Sequence, residues 1–531
     1  MERYRSIAMF STTLLLLGFV SVGIGAEDGN RSVPVRPEAG RWAEIQVLDG
    51  ATGRGVPLVE LETVNGLTFV TDNAGRVAFA EPDQMDQETF FTIRSHGYEV
   101  PKDGFGFSGV RIVPQAGKRT VVDVRRKNIA ERLCRLTGEG KYRDTLLLGY
   151  APPLVESVHP GRVAGQDSIQ AAVYREKVYC FWGDTLRMNY PLGLFRMAGA
   201  TMAIPDPKDA RSDPSHGIAY DYFVDPKTEF ARPMMPLPER PQGVIWVEPV
   251  FVVPDANQNE RLVGHYSRRK NLSEEFERGI AVFDDEQAVF ESVAQLPLNE
   301  TWRRPSGCPI VYEEGDKKWL LFGSPSPNVR VPATFNDVLD PSKYEAFTCS
   351  KPAIGGAPTL PDLDRNGRPI WRWQKELPPT GSKTEHRWVK AEQLKAEFTR
   401  FFPADASNPS ERVQLHRGSV RWNEHRRRWI LIAGQIGGAS SYLGEVWYAE
   451  GTTPTGPFAR AVKIVTHDRQ TFYNICHHSF MDRDGGRTIH FEGTYTRDFS
   501  GNQQKTARYD YNQVLYRLDL EAGDLRAAGA N

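Results

Sequence analysis

Three acidic residues stand where acid–base chemistry would use them. Asp167 sits just ahead of the apolar run IQAAVY, Glu248 opens EPVFVVP, and Glu445 follows the Gly- and Ser-rich turn GGASSYLG. An acid at the head of a buried strand is costly unless it is paired or faces a solvated channel. Hydrolysis of a glycosidic bond needs a pair of carboxyl groups. One protonates the leaving oxygen, and the other acts as base or nucleophile, about 5 Å away for retention or roughly 6.5–9.5 Å away for inversion.

Other side chains compete for places beside them. Asp184 ends the strand VYCFWG before Thr185, so it reads either as a turn cap or as a site residue. Glu492, at the end of the strand in HFEGTY, rivals Glu445 as the acid. His477 and His478 open the last hairpin. Neighbours on a strand face opposite sides, so at most one points inward, and His478 is the binding candidate. A hydrogen-bonded core histidine is the ordinary alternative for it and for His416. Arg417 is suited to pair with a substrate carboxylate or hydroxyl, or with one of the acids.

These residues belong to one recurring phrase. In GQDSIQAAVYREKVYCFWGDTL an acid precedes an apolar strand, a charged turn follows at Arg175 to Lys177, and a second strand ends on another acid. Looser versions begin at Glu248, Gly307, Arg417 and His477. Hairpins repeated at this spacing, with Asp, Asn and Gly at the turns, predict a β-propeller, here of five blades. The first residues of each innermost strand then surround a central channel, and acids from different blades converge there.

The expected fold class is all-β, an N-terminal β-sandwich followed by the propeller. Residues 1–26 have the layout of a secretory signal peptide: Arg3 and Arg5, an apolar core from Met9 to Val22, then small residues. That core is short of the about 20 apolar residues of a membrane span. Residues 27–40 read as a linker and 41–126 as a small sandwich, with turns at Asp49-Gly50 and Asp72 to Gly75. Ile129, Leu133 and Leu136 have helical spacing, so 127–149 reads as a connecting helix and linker. The propeller occupies 150–525. Within it, Pro325 to Trp388 reads as loops over one face and Lys390 to Phe402 as a short helix.

Composition narrows the classes. Lys and Arg number 66 and Asp and Glu 67, so nucleic acid cannot be bound by net charge alone. Aromatic residues make up 11% of the chain, enough for packing between blades and for flat surfaces that cover sugar faces. The 5 cysteines form no CxxC or Cys/His zinc pattern, so no protein metal site is expected. An exported compartment permits disulfides, but the spacing names no pair.

The sandwich, with a G-x-P-L/V strand and T-D-x-x-G-x-V, resembles carboxypeptidase regulatory-like (transthyretin-like) domains, which are accessory modules. The large domain resembles the five-bladed propeller glycoside hydrolases of the arabinanase, β-xylosidase and anhydro-galactosidase type. It also resembles the propeller family that includes D-arabinan-degrading enzymes, through Gly165, Asp167, Phe181, Gly183, Asp184 and Thr185. That resemblance implies Asp167 as general base, Glu248 as the acid that orients its partner, and Glu445 as general acid. It leaves room for a structural calcium ion in the channel and implies a carbohydrate partner and an exported, secreted or periplasmic location. Two rivals stand beside hydrolysis. One is a polysaccharide lyase using His416, His478 or Tyr473, and the other is a non-catalytic carbohydrate-binding propeller.

Overall fold

The computed structural model describes residues 39–154, 160–352, 359–503, 506 and 508–529. The expected signal peptide and nearly all of the linker lie outside them. Among the described residues no helix is long and apolar enough to cross a membrane.

The N-terminal sandwich consists of two four-stranded sheets. One runs Arg76–Phe79, Ala43–Asp49, Arg119–Arg126, Tyr98–Glu99, and the other Thr68–Val70, Glu60–Thr63, Thr89–Arg94, Gly109–Ile112. Strand alternation sends Ile45, Val47, Val122 and Val124 into the shared core. There the Phe79 and Phe91 rings meet edge to face at 5.3 Å, a favoured aromatic geometry. The predicted turn at Asp72 to Gly75 is present. Asp72 Oδ1 accepts the amides of Ala74 and Arg76, and Gly75 has a φ of 72°. A Cβ there would lie 2.4 Å from the Val47 carbonyl oxygen, so only glycine fits.

Five sheets follow as propeller blades. Blade one pairs Gln170–Tyr174, Lys177–Trp182, Ala198–Ala203 and Asp221–Tyr222 in order. Blade two runs Val244–Pro254, Glu260–Arg269, Glu275–Asp284, Val289–Leu296. Blade three adds Ile310–Glu314, Lys317–Phe322, Val329–Pro332, Glu345–Thr348 and Arg372–Gln374. Blade four runs Leu415–Asn423, Arg428–Gln435, Val446–Gly451, Arg460–Val465, with Ala404–Asp405 parallel at its outer edge. Blade five runs Thr471–His477, Thr488–Thr496, Asn512–Asp519 and, outermost, Glu131–Arg135. Apolar clusters fill the seams between successive blades. Phe181 and Tyr266 join blades one and two, Phe251 and Leu320 two and three, Phe347 and Leu431 three and four. Tyr448 and Tyr516 join four and five, and Leu515 and Val178 bring five back to one.

The ring therefore closes through a strand drawn from before blade one, which corrects the expected connecting helix. Glu131–Arg135 pairs antiparallel with Asn512–Asp519, and all five residues are buried. A short apolar run cannot be told from a strand by periodicity alone, and here the open edge of the last blade supplies the partner. The helix in this region is the short Arg143–Leu147. Pro325 to Trp388 is likewise more than loops, since it supplies three strands of blade three. The helix expected at Lys390 to Phe402 lies earlier, at Ser382–Lys390. His477 closes the innermost strand of blade five and His478 follows it, so neither opens the strand.

The sandwich covers the free edge of the closing strand. Asn73 accepts the Arg135 amide and donates to its carbonyl, both at 2.9 Å, and Arg54 donates to the Leu133 carbonyl at 2.6 Å. Replacing Asn73 with Ala leaves both backbone groups of Arg135 buried and unpaired, which costs about 1–3 kcal/mol. Leu133→Ala should cost ~2–5 kcal/mol. Exposed Lys127→Ala should stay within ~0.5 kcal/mol. Chemical denaturation of the three variants checks this order, and a silent Leu133→Ala would refute the closing role of the strand.

Candidate active site

At one mouth of the channel, a cleft of about 670 Å³ is lined by the starts of four innermost strands. Blade one contributes Asp167 and Ser168, blade two Trp246 and Glu248, blade four His416 and Arg417, blade five Tyr473 and Asn474. In three of these strands the ladder register shifts at the site. The shifts fall between Val247 and Val250, between Leu415 and Gly418, and between Tyr473 and Cys476. Such bulges release residues from the regular alternation and re-aim their side chains. Glu248, His416, Arg417 and Asn474 all occupy them.

Asp167 and Asp184 form the floor. The hairpin of blade one brings them together, since the Asp184 amide donates to Asp167 Oδ1 at 2.9 Å and the Gly183 amide to the Asp167 carbonyl at 2.9 Å. A Cβ on Gly183 would stand 2.5 Å from Asp167 Oδ1, which explains the glycine of the G-D-T phrase. Tyr473 donates its hydroxyl to Asp167 Oδ2 at 2.9 Å, and Tyr511 donates a second phenol to the same carboxylate. Burial raises Asp167 above the usual carboxylate range, against these donors. Asp184 is pushed up to about 6, first by burial and then by the Asp167 charge, while the Trp246 indole donating to it at 3.1 Å opposes the shift.

Glu248 faces the other side of the cleft. Arg417 forms an ion pair with it from blade four, and the His265 ring donates to its carbonyl at 3.3 Å. Both members of the pair are partly open to solvent, at 28% and 42%, so each keeps hydrogen-bonding capacity for a ligand. Burial, reinforced by Arg417, holds His416 down to about 4, so it is neutral at neutral pH. Trp246 and the exposed Phe499 add flat apolar surface at the rim.

Five of the eight residues expected at the site therefore meet here: Asp167, Asp184, Glu248, His416 and Arg417. The other three do not line the cleft. Glu445 precedes the third strand of blade four and is not among the residues that line the cleft. It is buried, accepts from Thr466 at 3.0 Å and from Ser440, and pairs with Lys463 at 3.3 Å. Glu492 lies on the second strand of blade five, and His478 follows the far end of the first; they pair with each other at 2.8 Å. Trp246 was missed although it lies two residues before Glu248, the spacing that puts side chains on one face. Tyr511 carries no strand signal, because it stands at φ 64° in the loop before the last strand.

Among the described residues no group of three or more His, Cys, Asp or Glu converges as a metal site, and the Nε2 atoms of His477 and His478 pair with Asp482 and Glu492.

No family model and no curated protein matches the chain. Among solved structures it is similar to an exo-1,5-α-L-arabinanase from a bovine ruminal metagenomic library, with 9% identity and a TM-score of 0.33 over 68% of this chain and 95% of that one. It is also similar to a GH43_1 enzyme from Xanthomonas citri, with 12% identity and a TM-score of 0.32 over 70% of this chain and 91% of the other. An exo-β-1,3-galactanase from Clostridium thermocellum is similar at 9% identity and a TM-score of 0.34, over 73% of this chain and 62% of that chain.

The electrostatics of the floor are directly measurable. In Asp167→Asn the neighbouring charge is gone, so the Asp184 carboxyl should titrate below about 6. In Trp246→Phe the indole donor is gone, so it should titrate higher. Carboxyl-selective NMR titration reads both, and shifts in the same direction would refute the arrangement.

Proposed function

We propose that the cleft hydrolyses a glycosidic bond, with Asp184 as general acid and Asp167 as general base. One observation carries this reading. Two carboxyl groups, linked by the Asp184 amide donating to Asp167 Oδ1, line a sugar-sized cleft, and burial with the Asp167 charge pushes Asp184 up to about 6. Carboxyls whose environments push their proton affinities apart divide naturally into acid and base. Burial and the Asp167 charge favour the protonated form of Asp184, so it can give its proton to the leaving oxygen as the C–O bond breaks. Asp167, held by two phenols and an amide, takes a proton from the water that attacks the anomeric carbon. The glycine and the tyrosines fix its orientation in advance, which replaces solvent reorganisation during the reaction.

Glu248 and Arg417 serve binding in this scheme. Their ion pair presents charged acceptors and donors suited to sugar hydroxyls, and Trp246 and Phe499 cover apolar sugar faces. The sandwich is accessory, since its contacts hold the closing strand and it contributes no side chain to the cleft. The apolar N-terminal segment supports export of the mature protein.

A reducing-end assay against a panel of arabinans, galactans and uronic-acid polymers tests the activity. Asp184→Asn and Asp167→Asn should each lower kcat/KM by roughly 10²–10⁴-fold. Glu445→Gln should leave it within about threefold, because that carboxylate lies outside the cleft. An active Asp184→Asn protein, or an inactive but folded Glu445→Gln protein, would overturn the assignment. Products with ultraviolet absorbance would indicate a lyase instead.

The pH profile follows from the same pair. Asp184 acts protonated and its affinity for the proton is raised, so kcat/KM should fall as pH rises through about 6. A profile flat from about pH 5 to 8 would remove Asp184 as the acid.

A further inference from the structure

Below the cleft the channel holds a second cluster that the proposed reaction does not use. Cys308 stands two residues before the innermost strand of blade three, and Cys476 lies near the end of the innermost strand of blade five. Their sulfurs are 3.8 Å apart, and both are free thiols. Cys476 Sγ is 3.9 Å from His478 Nδ1, and His478 Nε2 is 2.8 Å from Glu492 Oε1. With the carboxylate accepting from Nε2, Nδ1 carries the lone pair and faces the thiol. Cys308 is the half-buried member, and the Arg421 guanidinium donates to its carbonyl at 3.2 Å. The remaining thiols are unlike this pair: Cys134, Cys180 and Cys349 are buried, and burial pushes each of them up. Only the Cys308 thiol is shifted down, by its hydrogen bond with Cys476 and then by Arg421.

We propose that Cys308 and Cys476 are a dithiol–disulfide pair, oxidised by a small-molecule or protein disulfide to a covalent tie between blades three and five across the channel. Cys308 loses its proton to solvent, and its thiolate attacks one sulfur of the oxidant, forms a mixed disulfide and releases one thiolate, which takes up a proton from solvent. Cys476 then gives its proton to His478 Nδ1, and Glu492 stabilises the resulting imidazolium. The Cys476 thiolate attacks the Cys308 sulfur and expels the second thiolate of the oxidant, which takes up the proton. The protein loses two electrons and two protons, and the oxidant disulfide becomes two thiols. The tie joins positions 168 residues apart. A loop of that length restricts the unfolded chain far more than the folded one. The tie leaves the cleft residues untouched, and its formation is read without any substrate.

The test uses the full chain, reduced and then exposed to oxidised glutathione. After acid quench and alkylation, non-reducing peptide mapping should show the Cys308 and Cys476 peptides joined, and the intact mass should fall by two hydrogen atoms. Dithiothreitol should reverse both changes and lower the Tm. In His478→Gln the mixed disulfide on Cys308 should accumulate, because closure slows by roughly 10²-fold without its base. Full alkylation of both cysteines after oxidation, a cross-link to another cysteine, or glutathione left on Cys308 in the wild-type chain would overturn the proposal.

Discussion

The outer edge of blade five is completed by a strand drawn from before blade one, and the docking of the sandwich depends on that pairing. The closing strand comes from the segment that leaves the sandwich, so one short stretch is at once the outer strand of blade five and the floor on which the sandwich docks. An uncovered edge strand invites pairing with other chains. Here Asn73 and Arg54 occupy its open hydrogen-bonding groups, as a neighbouring strand would. Burying Arg135 beside it is tolerated because the guanidinium donates to the carbonyls of Thr137 and Glu139. The same guanidinium lies 3.8 Å from the centre of the Tyr509 ring, within cation–π range. The two domains are coupled through this strand: loosening the sandwich bares an edge of the propeller.

Closure matters for the cleft because the cleft has no owner among the blades. Asp167 comes from the segment ahead of blade one, its two phenol donors come from blade five and the loop before the third strand of that blade, and the indole on Asp184 comes from blade two. Ser168 is held the same way, its amide donating to Thr494 of blade five at 3.0 Å. Blades five and one meet where the ring closes, so the most heavily hydrogen-bonded part of the candidate site sits on the seam with the greatest sequence separation.

The architecture is legible in the sequence to the extent that it is local. The hairpin of blade one can be placed closely, because its turn residues and its paired apolar runs follow one another directly in the chain. Asp167 and Asp184 are visible for the same reason. What escapes is whatever depends on position within a blade. Glu445 looks like Asp167 in sequence, an acid before an apolar run, but its strand is third from the axis instead of first. The closing strand looks helical because nothing near it in sequence reveals its partner at the far end of the chain. Tyr511 is invisible because a left-handed backbone between strands aims it, and no side-chain period records that.

The same distinction explains why two carboxyls in one hairpin can differ in their protons. Local chain geometry makes Asp167 and Asp184 neighbours, and neighbouring charges in a poorly solvated place resist double ionisation. Locality alone does not say which of the two keeps the proton. That is decided by donors delivered from elsewhere: two phenols and an amide converge on Asp167, and a single indole on Asp184. Each donor stabilises the charged form of the group it meets, so the donors on Asp167 oppose the rise that burial imposes on it, and the proposed reaction assigns the proton to Asp184. The acid and base of the proposed reaction are thus distinguished by tertiary structure, through blades that reach the hairpin only once the ring is closed.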